Sequence, residues 1–528
     1  MPLSDVELTT PLSRDVQARY VCNTFDEARA TWEDGPGFDA IIVGGGTYGA
    51  ALAQSLYFRS EKFRDDDIFA PRNYRILVLE AGPYILPEHV QNLPMLRLYD
   101  PPSTSIAELQ PDPSLRHTLK ARNEVWGLAW HSPERFTGLA YCVGGRSLYW
   151  GGWSPRFLDS EMPTVAEAAN MWPATVVEDL KARFFEEANR QLGANESNDF
   201  IAGALHETMR TRLLKALDEG RVATAFPVDE LPLQVTDPPI GDHVAGAAHR
   251  RRERKLDAPY AINTATRPGF FPFNKFSSLP LLMAAARDAA ARSGGDDNRK
   301  RLMVVPNCHV TGLDTEPITT ATGAVLLRVR GVHTNLGYVP VARDGATHGV
   351  VILAAAAIES TRLALLSFQE MADQQYALIG KSLMAHTRAN MFFRIPRSRL
   401  EELGVEQQRL EVSALQVRGR HRYDDGTLGH YHIQVTASGT PHDDANVDRE
   451  LFQKVPDLDH YRRFVDEELD EVVPIAIRAI AEMEPHNPGS FVRLDQEADE
   501  FGMPRAFVGI NQQTPNTTAT NYLTEWDR

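Results

Sequence analysis

Cysteine is scarce in this chain: Cys22, Cys142 and Cys308 are three in 528 residues. They are far apart and odd in number, which excludes a disulfide framework and the paired spacing of a zinc site. Long apolar runs are missing as well. The longest clean run, VVILAAAAI at Val350–Ile358, is far short of the roughly 20 residues that a membrane helix needs. The opening stretch MPLSDVELTTPLSRDVQ carries charges where a signal peptide needs an apolar core. Basic charge is also in deficit, with 55 Lys and Arg against 71 Asp and Glu and a net charge of −16. Such a chain repels phosphate backbones, so no nucleic acid is expected as a partner. The one basic run, HRRRERK at His249–Lys255, reads as a solvated loop. These absences predict a soluble, cytoplasmic protein with no membrane partner and no metal centre.

A core is there to be built: 43% of the residues are hydrophobic and 24% charged, as in ordinary globular proteins. The length suggests two or more domains, or one interleaved pair. The most informative stretch is FDAIIVGGGTYGAALAQSLYF, starting at Phe38. Ala40 to Val43 run continuously apolar, as a buried parallel strand does. Ala50, Ala53, Leu56 and Tyr57 then recur at helical spacing. Gly44, Gly46 and Gly49 therefore sit in a strand-to-helix turn, the context that makes G-x-G-x-x-G a dinucleotide fingerprint. Gly44 permits the tight turn, Gly46 the approach of a pyrophosphate, and Gly49 the close packing of helix on strand. Thr47 and Tyr48 open the helix, whose free N–H groups and positive dipole end suit phosphates.

A second strand, YRILVLEAG, ends in Glu80 and Ala81. An acid at this place grips ribose hydroxyls and disfavours a 2′-phosphate, which argues against NADP. Glu80 comes 31 residues after Gly49, where about 20 is usual. The polar stretch Glu61–Asn73 accounts for the excess as an insertion, so Asp65, Asp66 and Asp67 are set aside. A further stretch, YCVGGRSLYWGGWSPRF at Tyr141–Phe157, carries Gly144, Gly145, Arg146, Ser147, Trp150 and Gly151. Paired glycines let backbone pass close to a large planar ligand and aim N–H groups at phosphate or ring oxygens. An NAD enzyme has no need of this segment, so FAD is favoured. Tyr149, Trp150 and Trp153 would be costly to leave exposed together.

With these motifs the chain resembles the glucose–methanol–choline family of FAD-dependent oxidoreductases. The first turn, Glu80 followed by AGP, and GGRSLYWGG carry the resemblance. Further segments are similar to that family's: MWPATVVEDLKARFF to its "WP" helix, VVPNCHVTGLD to the strand meeting adenine near Val310, and VVILAAAAIESTRLALLS to the strand and helix closing its FAD domain. LIGKSLMAH, PGSFVRLD and EFGMPRAFV resemble substrate-domain segments, so the likeness runs over roughly residues 37–510. The resemblance implies an α/β fold (α+β overall), a Rossmann-like FAD-binding domain interleaved with a substrate domain on an antiparallel sheet. The FAD-binding pieces would be 37–160, 260–315 and 323–375, the substrate domain 161–259 and 376–510, and 1–36 an N-terminal extension. Tyr149 stands where one branch of the family bears the histidine that bonds flavin covalently, so FAD is expected to be non-covalent. Trp150 stands where more typical members carry Asn.

In the resembled family the flavin takes hydride from an alcohol or sugar CH–OH group while a histidine takes the hydroxyl proton. That histidine lies in an H-x-x-G-T segment after the strand like EFGMPRAFV. No histidine follows His486 here, so the base is expected beyond residue 528 and no catalytic residue is assigned. His432 alternates with Gln434 on one face of the predicted strand YHIQVTA, and His386 reads as a structural cap. Three readings stay open: an FAD-dependent alcohol or sugar oxidoreductase acting on a small molecule, a flavin-binding component without turnover, and a flavoenzyme with a non-alcohol substrate.

Overall fold

The computed structural model describes residues 16–62, 73–85, 87–89, 130–133, 139–164, 172–194, 201, 203–232, 252–263, 274–323, 325–341, 343–344, 347–371, 373–402, 412–422, 428–439, 471–483 and 487–510. The first half holds α1 (Val16–Val21), α2 (Phe25–Glu33), β1 (Ala40–Val43), α3 (Thr47–Lys62), β2 (Ile76–Leu79), β3 (Trp130–His131), α4 (Ala174–Asp179), α5 (Phe185–Leu192) and α6 (Ala204–Asp218). Next come β4 (Ile262–Asn263), β5 (Asn274–Lys275), α7 (Leu279–Ser293), β6 (Leu302–Val305), β7 (Val310–Thr319), β8 (Val325–Thr334) and β9 (Gly337–Pro340). They are followed by β10 (Arg343–Asp344), β11 (Thr347–His348), β12 (Val350–Leu353), α8 (Ala356–Ser367) and α9 (Asp373–Tyr376). The last elements are β13 (Thr387–Pro396), α10 (Arg397–Glu402), β14 (Val412–Arg422), β15 (Leu428–Ser438), β16 (Val472–Ala481), β17 (Phe491–Ala498) and β18 (Pro504–Gly509).

A parallel sheet of order β12-β1-β2-β6 forms the centre. Strands β1, β2 and β6 are short and continuously apolar because both faces are covered, while β12 lies at the edge and is more open. Ile42, Val78 and Val304 point into one cluster with Ala50, Ala53 and Tyr57 of α3 and Leu282 and Ala286 of α7. Ile41, Leu77 and Met303 point into the other, with Phe38, Val332 and Val339. Each fully buried aliphatic side chain contributes on the order of 1.5–3 kcal/mol, so this sheet is the rigid platform of the molecule. Helix α2 abuts it with a capping box, in which Thr24 accepts from the Glu27 amide while Glu27 accepts from the Thr24 amide.

A second, antiparallel sheet has the order β13-β16-β15-β14. The chain thus mixes helices with separate parallel and antiparallel sheets. Strand β8 pairs with β7 in a hairpin. One expectation is corrected. The segments PGSFVRLD and EFGMPRAFV do not join the antiparallel sheet. They form β17 and β18, which pair with β3 in a sheet of their own. The reason lies in the packing: Trp130, Val492, Ala506 and Val508 share a core with Leu365 of α8. Arg362 of α8 is buried there between Glu359 and Asp499, and it also donates to the Pro504 carbonyl at 2.7 Å. Nor is the described part of the basic run a solvated loop: residues 252–254 are helical, none of 252–255 is exposed and Glu253 is buried. Arg252 pairs with Asp218 and Asp229, and Lys255 donates to the Asp229 carbonyl. Asp65, Asp66 and Asp67 lie outside the described residues, as does His486. No described helix is long and apolar enough to cross a membrane.

Candidate functional site

The turn after β1 is locked from three sides. Gly44 has φ +101°, and a Cβ there would meet the Ala354 carbonyl oxygen at 2.8 Å, so only glycine fits the bend. At Gly49 a Cβ would lie 1.9 Å from the Gly44 carbonyl oxygen; this glycine lets α3 sit on the turn. Glu80, at the end of β2, accepts from the Gly45 amide at 2.7 Å through Oε2 and from the Gly82 amide at 2.9 Å through Oε1. Glu80 is buried. Sequence reading sees the acid at the strand end; it does not see that the same carboxylate holds the glycine turn.

The second glycine stretch docks directly on the first. The Gly144 amide donates to the Gly45 carbonyl at 2.8 Å. Gly144 has φ +94°, and Gly145 has φ +51°. A Cβ on Gly145 would meet Gly46 Cα at 2.8 Å, so the two backbones touch. A 3₁₀ turn over Gly145–Leu148 follows. Ser147 Oγ donates to the Gly144 carbonyl at 2.6 Å and accepts from the Ser278 amide at 3.1 Å, fastening the turn to the start of α7. Trp150 Nε1 donates to the Phe276 carbonyl at 2.6 Å, and its own carbonyl meets His89 Nε2 at 2.9 Å. Tyr149 is buried, and Trp153 packs edge-on against Tyr260 at 5.1 Å.

These elements wall a cavity of about 480 Å³, within the usual range for small-molecule sites. Of the residues singled out in the sequence, Gly44, Gly46, Thr47, Tyr48, Glu80, Ala81, Gly145, Arg146, Ser147, Trp150 and Val310 line it. Gly49, Gly144 and Gly151 do not; the first two shape the turns from behind. At Gly46 an added Cβ would meet nothing but Gly145 Cα, at 3.8 Å. The open side of that glycine is the cavity. Two helices point their N-termini into the same space, α3 through Thr47 and Tyr48 and α8 through Ala355 and Ala356. Free N–H groups and dipole ends of this kind favour an anion such as a pyrophosphate.

Sequence reasoning missed several wall residues. Ala354, Ala355, Ala356 and Glu359 come from the far end of the chain, after β12. Ala356 holds φ +60° without being glycine, a strained conformation of the kind that collects at functional sites. His309 lines the cavity and stacks on Phe501 at 4.8 Å. Lys275 is buried, and its aliphatic stem lies 3.4 Å from where a Cβ on Gly152 would be. Burial pushes the Lys275 ammonium down to about 7, and burial followed by the nearby Lys275 charge pushes His89 down to about 3.

Arg388 of the antiparallel sheet acts electrostatically on Arg146 of the cavity wall. One row of this sheet aligns Arg388, Ile480, His432 and Arg418 across the four strands, and the next aligns Asn390, Arg478, Gln434 and Gln416. His432 and His386 come together there. Burial pushes His432 down to about 3, with Arg418, His386 and Arg388 adding to the effect. Burial and Arg388 also lower His386, against a smaller opposing effect of Glu482. Both imidazoles are held neutral, so they accept hydrogen bonds and add no charge. Sequence reading places His432 and Gln434 on one face, and the structure keeps them there, 3.2 Å apart. Among the described residues no cluster of metal-ligating side chains forms.

No protein-family model matches this chain, and no curated protein does. Among solved structures, a formate oxidase of Aspergillus oryzae is 13% identical, with a TM-score of 0.44 over 89% of this chain and 77% of that one. A fungal aryl-alcohol oxidase is 16% identical, with a TM-score of 0.29 over 62% and 47%. A glycine oxidase of Bacillus cereus is 11% identical, with a TM-score of 0.22 over 89% and 91%. At such scores these likenesses carry no assignment, and the functional reading stands on the site itself.

Proposed function

We propose that this chain is a flavoprotein oxidoreductase that holds FAD, without a covalent bond, along the cavity between the Gly44–Gly46 turn and Trp150. The observation that carries the reading is the asymmetry of the glycines. Gly44, Gly49 and Gly145 are closed off by neighbouring backbone, whereas Gly46 faces empty cavity beside two helix N-termini. A pyrophosphate would fill that space. The carboxylate of Glu80, at the end of β2 and lining the cavity, suits ribose hydroxyls and repels a 2′-phosphate. The segments 37–160, 260–315 and 323–375 would make up the cofactor-binding half, and the antiparallel sheet the substrate half.

When bound, the flavin supplies the hydride acceptor for a small CH–OH substrate. The chain's own residues do the rest. The interlocked glycine turns fix the cofactor's place and Trp150 walls its far end. The antiparallel sheet carrying His432 and Arg388 would make up the substrate side, with the neutral His432 imidazole accepting a hydrogen bond there. The test is the visible spectrum of the purified protein. A flavin band near 450 nm that passes into the supernatant on acid precipitation is the expected result. Protein that stays colourless after incubation with FAD would overturn the cofactor, and colour retained in the pellet would overturn the non-covalent attachment.

A further inference from the structure

Between β17 and β18 the chain reads DEFGM, Asp499 to Met503, with the acid and the glycine that a tight turn calls for. Gly502 takes φ +75°. Asp499 Oδ1 accepts from the Phe501 amide at 2.9 Å and from the Met503 amide at 3.0 Å. Residues 499–503 do not line the cavity, yet they hold two residues that do. His309, a wall residue, stacks its ring on Phe501 with centroids 4.8 Å apart and planes 18° apart. Glu359, also in the wall, is paired with Arg362, which pairs in turn with Asp499 and donates to the Pro504 carbonyl at 2.7 Å.

The His309 backbone is fixed from another side. Its amide donates to Asn335 Oδ1 at 2.7 Å, and its carbonyl accepts from the Asn335 amide at 2.9 Å. The ring is buried and lies against Phe501. The preceding amide, that of Cys308, donates to the Glu80 carbonyl at 2.8 Å. The stacked pair therefore stands next to the acid to which the proposed site gives the ribose. Helix α8 joins the two supports, since it carries both Glu359 of the wall and Arg362, which fastens the turn.

We propose that Phe501 is a positioning residue for the nucleotide end of the cofactor site: it holds the His309 ring in the wall beside Glu80 before the ligand arrives. This deepens the flavoprotein reading and rests on it for the identity of the ligand. A side chain that is already ordered spares binding the entropy of immobilising it. A stacked ring pair supplies that order through its own preferred geometry. Without the phenyl ring the imidazole regains rotamer freedom, and the cost of fixing it falls on the ligand.

The test titrates the full chain, stripped of flavin, with ADP and with FAD by calorimetry. The parent is compared with Phe501→Ala, Phe501→Leu and Phe501→Tyr. The alanine and leucine variants should each weaken both ligands by about threefold to tenfold, the worth of an aromatic pair. Phe501→Tyr keeps a ring and should bind as the parent does. The visible band of bound FAD should keep its position throughout, because the flavin would lie towards Trp150. Phe501 is half-buried, and Phe501→Leu retains its apolar bulk, so the leucine variant keeps the fold even where alanine does not; circular dichroism melts check this. Parent-level affinity in Phe501→Leu overturns the proposal and leaves the flavoprotein reading standing. Equal weakening in Phe501→Tyr, or a displaced flavin band in Phe501→Leu, also overturns it, as either marks a general loosening. A parent that binds neither ADP nor FAD overturns the flavoprotein reading and this inference with it.

Discussion

Gly46→Val separates the fold from the cofactor. A Cβ at this position would find only Gly145 Cα, at 3.8 Å, which is ordinary contact. The residue carries no positive φ, so backbone strain adds nothing. The folding cost should stay below about 1 kcal/mol. The two valine methyls instead enter the cavity where a pyrophosphate would lie. Displacing phosphates from the amides of the turn should weaken FAD by at least about 100-fold, roughly 2.7 kcal/mol. Gly145→Ala is the counterpart. Its Cβ would lie 2.8 Å from Gly46 Cα at φ +51°, so left-handed strain and overpacking together should cost about 2–4 kcal/mol. The assay is paired: urea unfolding followed by circular dichroism, and the ratio of absorbance at 450 and 280 nm. The first variant should melt like the parent and come out colourless, and the second should melt early. Parent-level flavin in Gly46→Val would refute the placement of the phosphates.

Glu80→Gln puts an amide –NH₂ against the Gly45 or Gly82 amide, both of which now donate to the carboxylate. A loss of about 1.5–3 kcal/mol, together with reduced flavin content, should appear in thermal melts; an unchanged melt would show that the turn does not depend on this acid. Arg362→Met strands Glu359 and Asp499 as buried carboxylates, and urea midpoints should report about 3–5 kcal/mol. His432 has a folded pKa pushed down to about 3, below the unfolded value of about 6.5. Its contribution is therefore present above pH 6.5 and is lost as pH falls towards 3, at up to about 1.4 kcal/mol per pH unit. His432→Gln should flatten this part of the urea stability profile between pH 6.5 and 4.5, and a profile identical to the parent's would count against the neutral imidazole.

Local pattern alone determined the central platform. Continuous apolar strands at Ala40–Val43 and Ile76–Leu79, glycines at fixed spacing and an apolar helical stripe each obey short-range sterics and periodicity, and these do not wait for distant contacts. The β12-to-α8 unit was legible only through the resemblance of VVILAAAAIESTRLALLS to a strand and helix of the resembled family. What joined these pieces was decided in three dimensions. The hydrogen bond from Gly144 to Gly45 spans about a hundred residues of chain, and no local signal marks it. Ala354–Ala356 reach the cavity only because β12 pairs beside β1. The sheet containing β17 and β18 went to α8 instead of to the antiparallel sheet because buried Arg362 and the apolar contacts around Leu365 hold it there. The arginines at 388, 418 and 478 are unremarkable as single residues in the sequence. Strand register puts them on one face of the antiparallel sheet. Spacing along a chain fixes which way neighbouring residues point, whereas the meeting of distant residues depends on which surfaces bury one another.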